Sequence, residues 1–273
     1  MPTRVTLTTD FGTRDAYVAQ LKGVLYALGP SDIEVIDLTH EIGAGGVLEA
    51  GLFIRAAWPR FPAGTIHIVV VDPGVGSPRR ALALQHADQL WLGPDNGVMS
   101  TLIDANASTR AYELQPERFT QSAISATFHG RDVFAPAAAL LARGTPVAAL
   151  GRPVVSELVR AACRSVVQGA GRLEGEVIHV DRFGNLITNL TRAQLAQLAG
   201  GDSFEQLRVC CGAGTGAGPW LPIVRFYAEG VGLGPVALIG SSEQLEVAVT
   251  QGDAARQLQV GLGTAVLVVP AAS

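Results

Sequence analysis

The sequence is poor in charge. Its 24 Asp and Glu and 20 Lys and Arg make up 16% of 273 residues and leave a net charge of −4. No basic run occurs anywhere, which argues against nucleic acid as the main partner. Cysteine is scarce too. Cys163, Cys210 and Cys211 are too few for a disulfide framework, and the vicinal pair lacks a metal-ligand spacing. They are expected as small core fillers in a cytoplasmic protein. Long apolar runs are missing: VFAPAAALLA (133–142) is too short to span a bilayer, so no membrane partner is expected. The N-terminal MPTRVTLTTDFG has no signal-peptide layout. There is no Gly-x-Ser-x-Gly elbow and no zinc-type cluster, so no metal is expected. What is plentiful is hydrophobic residues, at 48%, and glycine, at 32. Such a chain is compact and rich in turns, and its length allows one large domain or two modest ones.

The rest is organised around TIHIVVVDPGVGSPRR (65–80). Its apolar run, 66–71, reads as a strand buried on both faces, as in parallel sheets. The run ends in Asp72, and Pro73-Gly74-Val75-Gly76 then turns the backbone sharply. Asp72 is thereby placed at the carboxyl end of a central strand, where open α/β sheets bind ligands. Arg79 follows seven residues later, close enough through this turn to return beside the carboxylate. The pair is either an incidental ion pair on a surface turn or part of a site.

Strand, helix and strand alternate before this stretch: VTLTTD, a helix carrying Tyr17, Leu21, Val24, Leu25 and Leu28 with Asp15 as its cap, IEVIDL, and a helix over 47–58. This is the pattern of a parallel sheet with helices on its faces. Two strands joined through His86-Ala87-Asp88, a short strand AYELQ and a helix over about 133–143 complete an N-terminal α/β domain, 1–167. Residues 168–171 suit a linker. The remaining chain, 172–273, consists of short strands (EGEVIHV, NLITNL, LRVCC, IVRFYAEG, PVALIG, QLEVAV, TAVLVV), with helical patterns only near 192–199 and 253–258. A small β-barrel or sandwich is expected there.

Several polar residues stand where such folds place sites. Asp10, in TTDFG, has the two acceptor oxygens that a ribose diol requires, or it caps its turn. His129 precedes a helix, whose dipole disfavours the imidazolium; a neutral imidazole can accept a proton or orient water, or simply cap the helix. His67 and His179 fall within strands and are expected to be packed or surface residues. In VDRFGNLITN (180–189), Asp181 can receive an ammonium, Asn185 can read a heterocycle edge, and Phe183 can pack on a ring. The same stretch is a β-turn with Gly184-Asn185 at its centre. The glycine-rich 212–218 opens no helix and lacks the Lys-Ser/Thr of a phosphate loop, so a mobile inter-strand loop is expected.

Taken together and in order, TTDFGTRDAYV, VVDPGVGSPRRAL, GPDNG, TFHGRD and DRFGNLITN resemble the S-adenosyl-L-methionine (SAM) hydroxide adenosyltransferases, or SAM hydrolases, relatives of the fluorinase and chlorinase. The resemblance spans nearly the whole chain. It implies a Rossmann-like α/β domain with a mostly parallel sheet, a small C-terminal β-barrel, and a homotrimer with active sites between subunits. It implies cleavage of SAM to adenosine and L-methionine by water or hydroxide, with SAM as substrate and no cofactor. The family's Asp-Arg-His triad falls on Asp72, Arg79 and His129. Its ribose-binding aspartate falls on Asp10, the residue holding the methionine amino group on Asp181, and an adenine contact on Asn185. Tyr17, Val75, Phe183, Tyr227, Ser241 and Ser242 are further substrate-contact positions. The halogenating relatives carry Tyr and Thr where this chain has Asp72 and Val75, so hydroxide is the expected nucleophile. One motif departs: the family's Asn-Ser-x-Gly-x-Leu-Glu-Ile-Ala is GSSEQLEVA here, with Gly240 for Asn and Glu243 for Gly. The rival expectations are a non-catalytic SAM or adenosine sensor and a SAM-dependent halogenase. A methyltransferase is opposed by the lack of a glycine-rich loop after the first strand.

Overall fold

The computed structural model describes residues 3–103, 109–120, 123–161, 166–169, 171–212 and 218–271. Cys163 and residues 213–217 of the glycine-rich loop lie outside them. The chain divides into two compact units, Met1–Ala162 and Cys163–Ser273.

In the first unit the elements are β1 (Arg4–Thr9), α1 (Tyr17–Leu28), β2 (Glu34–Thr39), α2 (Val47–Ala57), β3 (Ile66–Val70), β4 (Ala81–His86), β5 (Gln89–Pro94), α3 (Ser100–Ile103), β6 (Arg110–Leu114), α4 (Ala135–Ala142), α5 (Val147–Leu150) and β7 (Gly151–Pro153). They form a seven-stranded sheet in the order β2-β1-β3-β5-β4-β6-β7. β1 pairs in parallel with β2 and β3, and β3 with β5, while β4, β6 and β7 extend the sheet antiparallel. The apolar run in β3 is explained by this central position. Ile66, Ile68 and Val70 join a core with Leu21, Leu25 of α1 and Phe134, while Val69 and Val71 join a second core with Ile54 of α2 and Trp91. Alternate side chains thus bury on opposite faces, and both faces are covered.

Helix boundaries differ from expectation in three places. Asp15 does not cap α1; Ala16 holds that position with no side-chain cap. The second helix ends at Ala57 and tightens into a 3₁₀ turn, Trp58–Arg60, because Pro59 has no N–H to continue the ladder. The helix expected over about 133–143 is preceded by a π-helical turn, Gly130–Phe134, so that α4 starts at Ala135. His67, expected to be packed or exposed, is 1% exposed. Its ring stacks 3.9 Å from Trp91 and bonds Thr6 Oγ1 and Gln89 Oε1.

The second unit contains β8 (Val167–Gly169), β9 (Arg172–Val180), β10 (Leu186–Thr191), α6 (Arg192–Ala199), β11 (Leu207–Cys211), β12 (Trp220–Pro222), β13 (Pro235–Ile239), β14 (Gln244–Val249), α7 (Ala254–Leu258) and β15 (Ala265–Pro270). β8 pairs antiparallel with β9, so Gln168 and Gly169, read as part of a linker, belong to a strand pair. The main path is β12-β11-β15-β9-β10-β14-β13, and a bridge between Ile223 and Ala237 ties its two ends, giving a nearly closed barrel. Closure removes the unpaired edges that an open antiparallel sheet would expose. Residues 223–230, expected as a strand, instead contribute that bridge and a 3₁₀ turn, Tyr227–Gly230. Glu229 accepts from the Arg225 N–H and Nε, and this local pairing bends the segment away from the ladder. The helix α6 begins in a capping box of Thr191 and Gln194 and stops at left-handed Gly200, both readable in sequence.

Candidate active site

Two groups of predicted residues, one in each unit, form compact clusters. In the first unit, β1 and β3 are parallel neighbours with Thr9 opposite Val70, so Asp10 and Asp72 lie at the same edge of the sheet. This is the edge at which doubly wound sheets bind ligands. Asp10 accepts from the Gly45 N–H at 2.9 Å. Behind it, Phe11, Tyr17 and Phe128 meet in a trio with centroids 5.4 to 6.0 Å apart.

The turn after β3 is closed by Val75 N–H to Asp72 O and Ser77 N–H to Gly74 O, with Gly76 at φ +80°. It returns Arg79 to Asp72. Arg79 Nε donates to Asp72 Oδ1 at 2.9 Å and Nη2 to Asp72 Oδ2, a two-point pair whose side chains are 9% and 3% exposed. A buried charge pair needs this geometry to offset its desolvation. Arg79 Nη2 also donates to His129 Nδ1 at 2.8 Å, and Nη1 to the Arg80 carbonyl at 3.3 Å. Val75, half-buried, sits within the same turn.

The Arg79–His129 bond assigns a protonation state. A guanidinium has only donors and keeps its proton, so His129 Nδ1 must be the acceptor. His129 is therefore neutral and carries its proton on Nε2. Its pKa is lowered from 6.5, first by burial and then by the Arg79 charge. The sequence pointed to the helix dipole as the cause. His129 does stand at the N-terminus of a helical turn, the π-helical Gly130–Phe134, and burial and the neighbouring Arg79 cation act on it in the same direction.

Sequence reasoning missed the clamp beside this cluster. Arg80 Nε donates to Asp95 Oδ2 at 2.6 Å, and Arg80 Nη2 to the Glu157 carbonyl at 2.7 Å. Asn96 Nδ2 donates to the Val71 carbonyl at 2.8 Å. The GPDNG motif thus braces the turn that carries Arg79. An acidic residue beside Asn-Gly at a strand end was the available signal, and it reads equally well as an ordinary turn.

In the second unit, Asp181 Oδ1 accepts from the Phe183 and Asn185 N–H groups at 2.8 and 2.9 Å, and Oδ2 accepts from Asn185 Nδ2 at 2.9 Å. The turn is centred two positions earlier than expected. Gly184 N–H bonds the Asp181 carbonyl, leaving Arg182-Phe183 central and Gly184 at φ +81°. Asp181, Phe183, Asn185 and Tyr227 line one cavity of about 540 Å³, together with Val249, Thr250, Gln251 and Gly252. Phe183 is 73% exposed. Ser241 and Ser242 are not in this lining; they occupy the turn between β13 and β14. There Glu243 takes φ +61° and pairs with Arg192 at 2.8 Å. A left-handed backbone is natural for glycine, which accounts for Gly at this position in the motif that this chain departs from.

Behind the cavity wall stands a residue that the sequence did not single out. Tyr227 Oη donates to Glu246 Oε1, and Glu246 is 8% exposed on β14. Burial and the Asp181 charge both raise the Glu246 pKa. A charged residue inside the apolar run QLEVAV was the signal. Among the described residues, no group of three His, Cys, Asp or Glu is arranged to hold a metal ion, and no helix is long and apolar enough to cross a membrane.

Comparison with known proteins bears directly on these clusters. Residues 5–151 match the SAM hydroxide adenosyltransferase N-terminal domain, and residues 175–267 match the C-terminal domain of the same family. The chain is 40% identical over 263 residues to the (R)-S-adenosyl-L-methionine hydrolase of Salinispora tropica, covering 95% of each. It is 38% identical over 257 residues to the enzyme of that name from Thermus thermophilus, covering 92% of this chain and 93% of the relative. A fluorinase from an Actinoplanes species is more distant, at 28% identity over 88% of each chain. The crystal structure of an uncharacterized conserved protein from Thermotoga maritima superimposes with a TM-score of 0.85 at 32% identity, covering 97% of this chain and 99% of that one.

Proposed function

The chain belongs to the SAM hydroxide adenosyltransferase family, and on that premise we propose that Asp72, Arg79 and His129 direct water onto SAM, which this enzyme hydrolyses to adenosine and L-methionine. The observation that carries the assignment of roles is the Arg79 guanidinium, bonded at once to Asp72 and to His129 Nδ1.

SAM is a sulfonium cation. The nucleophilic oxygen bonds to ribose C5′ as the C5′–S electron pair returns to sulfur, leaving methionine as a neutral thioether. The net reaction consumes one water and releases one proton. Charge disperses in this step, so a site with little water accelerates it. Arg79 stabilises developing hydroxide and lowers the effective pKa of its parent water. Asp72 holds Arg79 in place. His129, neutral with its proton on Nε2, orients the water oxygen as a donor, and alignment with the C–S bond lowers the barrier further. Asp10 and Tyr17 are assigned to the ribose side of the substrate, Asn185 and Phe183 to the adenine, and Asp181 to the methionine ammonium. Val75 shapes the nucleophile pocket, and Ser241 and Ser242 are assigned to the methionine carboxylate. The reading routes no step through a metal or organic cofactor. A homotrimer with active sites between subunits and a cytoplasmic setting belong to the same proposal, supported by the resemblance.

The test is incubation with SAM in ¹⁸O-labelled water, with and without chloride, followed by mass-resolved product analysis. Adenosine and methionine are expected under both conditions, with the label in the adenosine 5′-hydroxyl. Chloride-dependent 5′-chloro-5′-deoxyadenosine would make the protein a halogenase, and bound SAM without product would make it a sensor.

The role of His129 also sets a pH dependence. Protonation removes the Nδ1 acceptor and puts a second cation against Arg79. Because the His129 pKa is lowered from 6.5, the neutral form persists down to that pH. The rate constant kcat is expected to be flat from pH 8 to 6.5 and to fall at lower pH. A fall already complete above pH 7 would remove His129 from this role.

A further inference from the structure

Behind the second-unit cavity lies a feature that no part of the proposed chemistry uses. Glu246 is a carboxylate at 8% exposure between buried Leu245 and Val247. Burying a carboxylate is costly unless it is well partnered. Among the described residues it has no cationic partner, and its hydrogen-bond donor is the Tyr227 hydroxyl. The chain makes room for it: a Cβ at Gly240 would lie 2.3 Å from Glu246 Oε2. So an expensive group is kept, at the expense of a side chain at 240, in order to hold one phenol.

That phenol belongs to the cavity wall. Tyr227 lines the space together with Asp181, Phe183 and Asn185. It sits on a short 3₁₀ turn and is 45% exposed, so little besides Glu246 restrains its ring. Asp181 is near enough to act electrostatically on both Tyr227 and Glu246. Asp181 therefore faces the cavity directly, while Glu246 stands behind Tyr227 and takes the phenol proton, which leaves the Tyr227 oxygen lone pairs free to accept from a cationic group on the ligand.

We propose that Glu246 is a positioning residue for the cationic amino-acid end of the substrate: through the Tyr227 hydroxyl it fixes the ring at the cavity wall and, with Asp181, makes that wall select an ammonium. The inference rests on the reading that the protein takes SAM.

The test compares Glu246→Leu, Tyr227→Phe and the double variant in the full chain. Two substrates are used: SAM, and the truncated sulfonium 5′-deoxy-5′-(dimethylsulfonio)adenosine, which has the adenosyl and sulfonium groups but no amino-acid end. Each single variant is expected to raise KM for SAM about tenfold, the scale of one lost charge-assisted hydrogen bond, with kcat within about twofold. The double variant is expected to be no worse than either single one, because both remove the same interaction. KM for the truncated substrate is expected to stay constant. A merely structural role would raise KM for both substrates together. If Glu246→Leu does not fold, Glu246→Gln retains an acceptor oxygen for Tyr227, and its KM for SAM is expected between wild type and Tyr227→Phe. An unchanged KM for SAM, an equal rise for both substrates, or additive single effects would each overturn the inference while leaving SAM hydrolysis intact. A wild-type protein that does not turn over SAM would overturn both.

Discussion

Replacing Arg79 by alanine is expected to lower kcat at least about a thousandfold, the effect of removing a preorganised electrostatic stabiliser, while leaving SAM affinity within a few fold. Arg79 is the one group that touches both other members of the cluster, donating to both Asp72 oxygens and to His129 Nδ1. Its removal eliminates the positive charge that stabilises hydroxide. It also frees His129 to change tautomer. Substrate binding is spared because the substrate is itself a cation and gains nothing from a neighbouring guanidinium. Arg79→Lys is expected to lose at least about a hundredfold, since an ammonium has no planar fork to bond a carboxylate at two points and an imidazole at once. Adenosine release measured against SAM binding by calorimetry separates the two quantities. The Asp72 carboxylate is left buried and unpaired in the alanine variant, at a cost of roughly 3–5 kcal/mol, so its melting temperature must be followed in parallel. Unchanged turnover in a folded Arg79→Ala protein would sink the assignment of all three residues.

The second large effect is structural in origin. Gly76→Ala is expected to destabilise the protein by on the order of 3 kcal/mol and to reduce kcat further in the fraction that remains folded. Gly76 lies at φ +80°, and a Cβ there would come 2.4 Å from the Ala126 backbone carbonyl oxygen. A carbonyl cannot swing aside as the end of a flexible side chain can. Either the turn opens or the 126–129 segment shifts, and both moves change the Arg79–His129 distance. Gly74 in the same turn is the control. Its Cβ would meet only Ser77 Oγ at 3.4 Å and Asp72 Oδ1 at 3.8 Å, with no positive φ, so Gly74→Ala is expected to cost under about 1 kcal/mol. Urea titration of the two variants checks the difference. Equal effects would mean that the conformation of the turn, rather than the close approach at Gly76, governs its stability.

Much of this was legible beforehand for identifiable reasons. β3 reads as doubly buried because its apolar residues do not alternate with polar ones, and the structure places Val70 and Val69 in opposite cores. The barrel strands alternate, as Leu186, Thr188 and Leu190 do on the inner face of β10. Errors fell where local signals compete with a tertiary demand. The 223–230 stretch has the β-branched and aromatic content of a strand, yet its Arg225–Glu229 pairing and the barrel closure at Ile223 take it out of the ladder. Asp15 has the chemistry of a cap but stands one residue too early to serve as one.

The division between sequence and tertiary structure follows the span of each interaction. The sequence by itself determined the Asp72–Arg79 pair, because both residues belong to one turn whose Pro and Gly conformations leave the chain few alternatives. It likewise showed that a turn follows Asp181, where donor and acceptor lie two to four residues apart, although the turn is centred on Arg182-Phe183 rather than on Gly184-Asn185. Only the tertiary structure decided that His129, 50 residues from Arg79, presents Nδ1 to the guanidinium and therefore carries its proton on Nε2. Only the tertiary structure placed Glu246 of β14 against Tyr227 of a 3₁₀ turn 19 residues away. A turn is governed by the torsional preferences of the residues within it. A hydrogen bond between distant segments is governed by how whole elements pack, and one ångström of packing changes which atom can accept.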